Sequence, residues 1–128
     1  MEKKLQKEKI KITPQRIELI RKLRELEKTH PSFNNVYQAI KETHPNISRS
    51  TVHENLKLLV KKGMIRRFYY KGETRYEINQ NLHINLVEAD GTIRDVENKK
   101  INAHLKEIER ILKEDEKIEI KNLLVLIE

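Results

Sequence analysis

Residues 46–63 read as a helix with both ends specified. Pro45 cannot continue a helix into this stretch. Ser48 suits the N-cap, where a hydroxyl accepts from an orphan N–H of the first turn. Gly63 stands where a left-handed C-terminal residue is needed. Val52, Leu56, Leu59 and Val60 fall at i, i+4, i+7 and i+8 and form one apolar stripe. Away from that stripe the early turns carry Arg49, Ser50, His53 and Glu54, several of them able to donate to phosphates or base edges.

Two strand-like runs follow, residues 64–70 and 74–78, joined through Lys71-Gly72-Glu73 as a short hairpin turn. A helix with a polar face followed by a basic hairpin is the layout of a winged helix-turn-helix. The helix would enter a major groove and the hairpin would lie on the phosphate backbone. An ordinary amphipathic helix packed beside a hairpin is the plainer alternative on these residues alone.

The preceding residues supply the rest of such a domain. Thr13-Pro14-Gln15-Arg16 is a helix start, with Thr13 as N-cap and Pro14 at the first helical position. Leu19, Ile20, Leu23 and Leu26 give that helix its buried face. Lys11 and Arg16 lie beside its N-terminus, within reach of a phosphate or simply solvated. Ser32 caps a second helix with apolar positions Val36, Tyr37 and Ile40. Residues 1–10 are Lys-rich and read as a frayed helix, a basic arm or a solvated tail.

Charge divides along the same line. Residues 1–80 hold 19 Lys and Arg against 9 Asp and Glu, a net of +10, while residues 81–128 hold 8 against 11, a net of −3. A basic front and a mildly acidic back point to a polyanion partner for the front only. The expected organisation is therefore α+β, with a winged-helix DNA-binding domain over residues 1–79 and a small α/β dimerisation domain over residues 80–128.

Beyond the polar joint Asn79-Gln80-Asn81, strands are expected near 83–88 and 92–96, separated by the turn Ala89-Asp90-Gly91. Ile101, Leu105, Ile108 and Leu112 mark a helix over 98–114, and residues 117–127 read as a closing strand. Fewer than fifty residues bury little core alone. Pairing with a second copy solves this, and it would set two recognition helices one DNA turn apart.

Several classes are disfavoured. The 128 residues include no cysteine, which removes disulfides, thiolate catalysis and thiolate-ligated zinc. Only three glycines are present, with no phosphate-binding glycine loop and no supported Ser/His/Asp arrangement, so no enzyme is expected. No apolar run approaches a membrane span and the N-terminus lacks a signal-peptide core, so a cytoplasmic protein without a membrane partner is expected. His44 and His104 read as surface or interface residues, and Tyr69, Tyr70 and Tyr76 as hairpin packing.

Taken together, residues 10–127 resemble the ferric uptake regulator (Fur) family of metal-responsive transcription regulators, including its peroxide-sensing branch. Thr13-Pro14-Gln15-Arg16 looks like that family's opening helix. Ser48-Arg49-Ser50-Thr51-Val52-His53 is similar to its recognition-helix pattern Ser-x-Ala-Thr-Val-Tyr. The resemblance implies a dimeric regulator, a repressor, on an inverted-repeat operator of double-stranded DNA. Its DNA contacts would come from Lys11, Arg16, Arg49, Ser50, Thr51, His53, Lys57 and Lys71. It also implies a divalent metal (iron, manganese or zinc) at the hinge between the domains.

The ligand positions carry over one at a time. His30 stands where the family has a His ahead of the second core helix, Glu77 where it has an acid ending the wing, His83 six residues later, and Asp95 four residues past the turn glycine. Singly, each also reads as a surface histidine or a solvated carboxylate.

The departures matter as well. Asn85 stands where a second His is usual, which implies a weaker site. Val87 and Asp90 occupy the positions of a Cys-x-x-Cys pair, in a loop that looks one residue short. Ile120 and Lys121 lie where some members supply another His. A four-cysteine structural zinc cannot form. His53 replaces a Tyr and Glu54 adds a negative charge, so the target sequence should differ. Two alternatives remain open at this point: a winged-helix repressor that has lost metal control, and a winged-helix protein-assembly module.

Overall fold

The computed structural model describes residues 9–79, 81–120 and 122–128. Most of the Lys-rich arm, Gln80 of the polar joint and Lys121 lie outside the described residues. The chain divides into two units, Met1–Gln80 and Asn81–Glu128.

In the first unit the order is α1 (Pro14–Leu26), a 3-10 turn (Glu27–Thr29), α2 (Phe33–Lys41), α3 (Arg49–Lys61), β1 (Arg66–Tyr70) and β2 (Glu73–Glu77). Each α-helix starts on the residue whose chemistry demands it. The Thr13 hydroxyl accepts from Arg16 N–H at 3.2 Å, and the Ser48 hydroxyl from Thr51 N–H at 3.1 Å. Ser32 forms a reciprocal box with Asn35, whose side-chain oxygen accepts from Ser32 N–H at 3.0 Å. These contacts satisfy N–H groups that have no partner inside the helix.

The end of α3 is equally determined. Gly63 has φ 71°, Gly63 N–H donates to Val60 C=O at 3.0 Å, and Met64 N–H donates to Leu59 C=O at 2.9 Å. That pair of bonds is the Schellman termination, and the buried Met64 side chain supplies the apolar closure that accompanies it.

The helices pack through the expected stripes. Leu19, Ile20, Leu23, Val36, Ile40, Val52, Leu56 and Leu59 are buried in one core with Ile10, Phe33, Ile47, Met64, Ile65 and Tyr76. Met64 and Ile65 belong to this core rather than to the hairpin, so β1 is shorter than the sequence suggests. The hairpin turn has two residues, not three, because Lys71 (φ 47°) and Gly72 (φ 81°) are both left-handed and Tyr70 pairs directly with Glu73. Two positive φ values match the right-handed twist of the strands they join. Tyr76 packs inside as expected, whereas Tyr69 is 72% exposed on the wing.

Among the described residues, the second unit holds a three-stranded sheet, order β4-β3-β5, with one helix. Its elements are β3 (Ile84–Val87), β4 (Ile93–Val96), α4 (Lys99–Glu114) and β5 (Val125–Ile127). Strands β3 and β4 are antiparallel and β5 joins β3 in parallel. The turn between β3 and β4 is closed by Gly91 N–H to Glu88 C=O and Glu88 N–H to Thr92 C=O. Asp90 accepts from the Thr92 hydroxyl and N–H, which together hold its carboxyl below the ordinary range.

Helix α4 begins after Asn98, whose side chain accepts from Lys100 and Ile101 N–H. The closing strand expected over 117–127 is only three residues long. Its partner β3 offers just four residues, and the register pairs Ile84 with Val125 and Leu86 with Ile127. Ile93 and Leu105 are the buried apolar residues described here, while Ile108, Ile111, Ile118, Leu124 and Ile127 are exposed.

Candidate DNA interface and metal-ligating residues

The N-terminal half of α3 presents Arg49, Ser50, His53, Glu54 and Lys57 to solvent. Two of these rest on α2. The His53 ring stacks on Phe33 with centroids 3.6 Å apart and an interplanar angle of 4°. The Arg49 guanidinium lies 4.9 Å from the Phe33 ring and 5.0 Å from the Tyr37 ring, and donates to the Asn34 side-chain oxygen at 3.1 Å. A guanidinium stacked on aromatic faces is pre-aligned while its remaining donors stay available. Phe33 and Asn34, which the sequence reading missed, form this bed. The only signal in the sequence was their place directly after the cap Ser32.

A cleft of about 350 Å³ runs beside Arg49 and His53 to Arg67, Glu73 and Thr74 of the wing. Tyr76 also lines it, and burial pushes its phenol above the ordinary value. On the wing, Arg67 and Tyr69 are exposed in alternation, as one strand face requires, and Lys71 is exposed in the turn.

Other expected contacts are partly occupied. The Thr51 hydroxyl lies 2.9 Å from that of Ser48 and is half-buried. Arg16 spans from Nε to the Asn55 side-chain oxygen at 2.9 Å and from Nη1 to Lys11 C=O at 2.8 Å. Arg16 therefore fastens the segment before α1 onto α3, and the buried Asn55 is its anchor. The Lys11 side chain is exposed.

The acid and imidazole groups fall into two pairs, one in each unit. In the first, His30 Nε2 lies 3.5 Å from Glu77 Oε2, with both side chains 1% exposed. The backbone brings them together. His30 closes the 3-10 turn in a left-handed conformation (φ 48°), a rare state for a residue with a side chain. Arg75 Nη1 donates to His30 C=O at 3.1 Å, Tyr76 N–H donates to Pro31 C=O at 2.9 Å, and Ser32 bridges Arg75. These bonds lay the start of α2 along β2 and set His30 next to Glu77. Arg66, the cross-strand partner of Glu77, contacts the other carboxylate oxygen at 2.9 Å.

In the second unit, His83 Nε2 lies 3.2 Å from Asp95 Oδ1 and 3.2 Å from Asn85 Oδ1. His83 Nδ1 is 2.5 Å from Asn81 C=O. That contact fits a proton on Nδ1, which leaves Nε2 able to ligate, the arrangement metal-bound imidazoles share. Donor atoms that share an ion at ordinary bond lengths stand about 3–3.5 Å apart. Both pairs meet that spacing and supply nitrogen and oxygen donors, so the residues fit a divalent ion. The Cys-x-x-Cys positions hold Val87, the last residue of β3, and the turn-capping Asp90.

A sequence profile of the ferric uptake regulator family matches residues 7–125. The chain belongs to that family. It is 32% identical over 114 residues to a ferric uptake regulation protein homolog of Archaeoglobus fulgidus, covering 89% of this chain and 86% of the other. It is 34% identical over 104 residues to the peroxide-responsive repressor PerR of Staphylococcus aureus, covering 80% of this chain and 67% of that protein. The fold resembles the peroxide stress regulator of Campylobacter jejuni with a TM-score of 0.72 at 28% identity, over 98% of this chain and 89% of the other.

The chain is thus a Fur-like DNA-binding transcriptional regulator and not an enzyme. Its partners are double-stranded DNA and a second copy of itself. No helix among the described residues is long and apolar enough to cross a membrane. Lacking cysteine, it is a Fur-family protein without a four-cysteine zinc.

Proposed function

We propose that this regulator is a metal-responsive repressor in which unit 1 reads DNA, unit 2 dimerises, and one divalent ion takes ligands from both. The supporting observation is the presence of two imidazole–carboxylate pairs, the buried His30 with Glu77 and the buried His83 with the partly buried Asp95, one in each unit. His30 and Glu77 anchor their end to the recognition module, while His83 and Asp95 anchor theirs to the dimer module. Closing both pairs on one ion fixes the spacing of two recognition helices, which makes metal and operator affinities mutually dependent. Imidazole with carboxylate suits iron, manganese or zinc. The regulator works beside the chromosome, in the cytoplasm.

Arg49, Ser50, Thr51, His53 and Lys57 on α3, Lys71 on the wing, and Lys11 and Arg16 before and within α1 are the proposed DNA contacts. The operator is an A·T-rich inverted repeat. Arg49→Ala is expected to cost about 1–3 kcal/mol of operator affinity through loss of a bidentate guanine contact. Lys71→Ala weakens binding to every duplex alike. Gel shifts in which Arg49→Ala together with His53→Ala leaves operator affinity unchanged would remove α3 from the reading role.

The switch is tested on an inverted-repeat duplex selected from random DNA by the metal-loaded protein. Affinity is compared with chelator, Mn²⁺, Fe²⁺ and Zn²⁺, for wild type and His83→Ala. Metal is expected to raise wild-type affinity about 5–150-fold and to leave His83→Ala unmoved. Equal wild-type affinity under every condition would instead identify a constitutive repressor. One feature favours that second reading: the Arg66 guanidinium already neutralises Glu77 at 2.9 Å.

A further inference from the structure

We propose that Asn85 is itself a metal ligand, through its side-chain oxygen, and that it biases the site toward oxygen-preferring divalent ions such as Mn²⁺ over Zn²⁺. This rests on the ion site proposed above. The geometry lies wholly within unit 2. Asn85 and Asp95 are directly opposed across β3 and β4, so their side chains share one face of the sheet. His83 precedes Asn85 by two residues and falls on the same face.

The orientation of the amide is settled by its other partner. Asn85 is fully buried, and its Nδ2 donates to Val125 C=O of β5 at 3.2 Å. A carbonyl can only accept, so the NH₂ group must face β5. The side-chain oxygen therefore faces His83 Nε2. With the Nδ1 proton directed at Asn81 C=O, the Nε2 lone pair meets Asn85 Oδ1 and Asp95 Oδ1, each at 3.2 Å. Three electron-rich atoms facing one another in a largely buried place repel unless a proton on Nε2 or a metal ion sits among them. A divalent cation satisfies all three at once.

The residue that departs from the expected histidine thus keeps a donor atom in the site and changes its element. An amide oxygen is harder and less basic than imidazole. Carbonyl and carboxylate oxygens suit Mn²⁺, whereas imidazole nitrogen favours Zn²⁺ and Co²⁺. The Val125 carbonyl of β5 holds that amide in place, so this residue serves the site as well as the sheet.

The test uses the full chain. Mn²⁺ affinity is read by the electron paramagnetic resonance of free ion, Zn²⁺ affinity by chelator competition, and Co²⁺ by its visible d–d bands. The variants are Asn85→Ala, Asn85→Asp and Asn85→His, with His83→Ala as reference. Asn85→Ala is expected to weaken Mn²⁺ binding about tenfold or more. Asn85→His should raise the ratio of Zn²⁺ to Mn²⁺ affinity about tenfold and shift the Co²⁺ bands, as nitrogen replaces oxygen.

Asn85→Asp keeps a ligand oxygen and the side-chain shape while losing the donor to Val125 C=O, and should retain Mn²⁺, which keeps the test standing if Asn85→Ala fails to fold. If His83→Ala abolishes binding while Asn85→His leaves the ion ratio and the Co²⁺ bands of wild type unchanged, Asn85 is not a ligand and the four-residue site stands. If wild type binds no ion, or His83→Ala binds as wild type does, the site itself fails and this inference fails with it.

Discussion

A chain ending at Asn79 should remain folded but monomeric, and should bind an inverted repeat about 10²–10⁴-fold more weakly than the full protein. Unit 1 keeps its own core, from Ile10 through Leu19, Val52 and Leu56 to Tyr76. What it loses is the second half-site, because linked modules gain their second contact at high effective concentration. Unit 2 carries the apolar surface on which that dimer prediction rests. Ile93 and Leu105 are its buried apolar residues as described, while Ile108 and Ile111 on α4, and Leu124 and Ile127 near the end, remain exposed in the single chain. Covering them with a second copy supplies the burial that a small unit lacks. Sedimentation and duplex anisotropy read the two effects separately. A truncated chain that still sediments as a dimer would place the interface in unit 1.

Glu77→Ala should lower the unfolding free energy of unit 1 by about 3 kcal/mol in the absence of any metal, at the lower end for a broken buried ion pair. The carboxylate is 1% exposed and its partner Arg66 10% exposed. Removing the acid leaves that guanidinium buried without its counter-charge. The loss stays at the lower end because Arg66 Nη2 keeps its bond to Asn79 C=O at 3.1 Å. Glu77→Gln retains shape and an acceptor, so it should cost less while still abolishing the metal response. Urea unfolding with chelator present measures the first effect. A loss below about 1 kcal/mol, the size of an exposed pair, would mean that Arg66 and Glu77 are solvated. The Glu77 position thus carries both a structural charge balance and a proposed ligand role, and the two variants separate them.

Much of unit 1 was legible because its signals are local. Thr13, Ser32 and Ser48 cap helices through bonds to N–H groups three residues on, so the residue type alone reveals the boundary. Gly63 terminates α3 because a left-handed backbone state favours a residue without Cβ. The apolar stripe of α3 is written at helical spacing. The order of these elements, with the positions of His30, Glu77, His83 and Asp95, was enough to suggest the family.

Pairing across distance was not legible. That Arg66 faces Glu77 depends on hairpin register, which turned on whether Lys71 and Gly72 form a two-residue turn. That Arg16 reaches Asn55, and that His53 lies flat on Phe33, depends on how α1 and α2 pack against α3. The closing strand was overextended because apolar residues on both faces say nothing of how long the partner strand is. Asn85 looked like a lost ligand in the sequence, since residue type records the missing imidazole. Only the fold shows its oxygen turned toward His83, because the direction of an amide is set by what its other end must bond, and here that is the Val125 carbonyl.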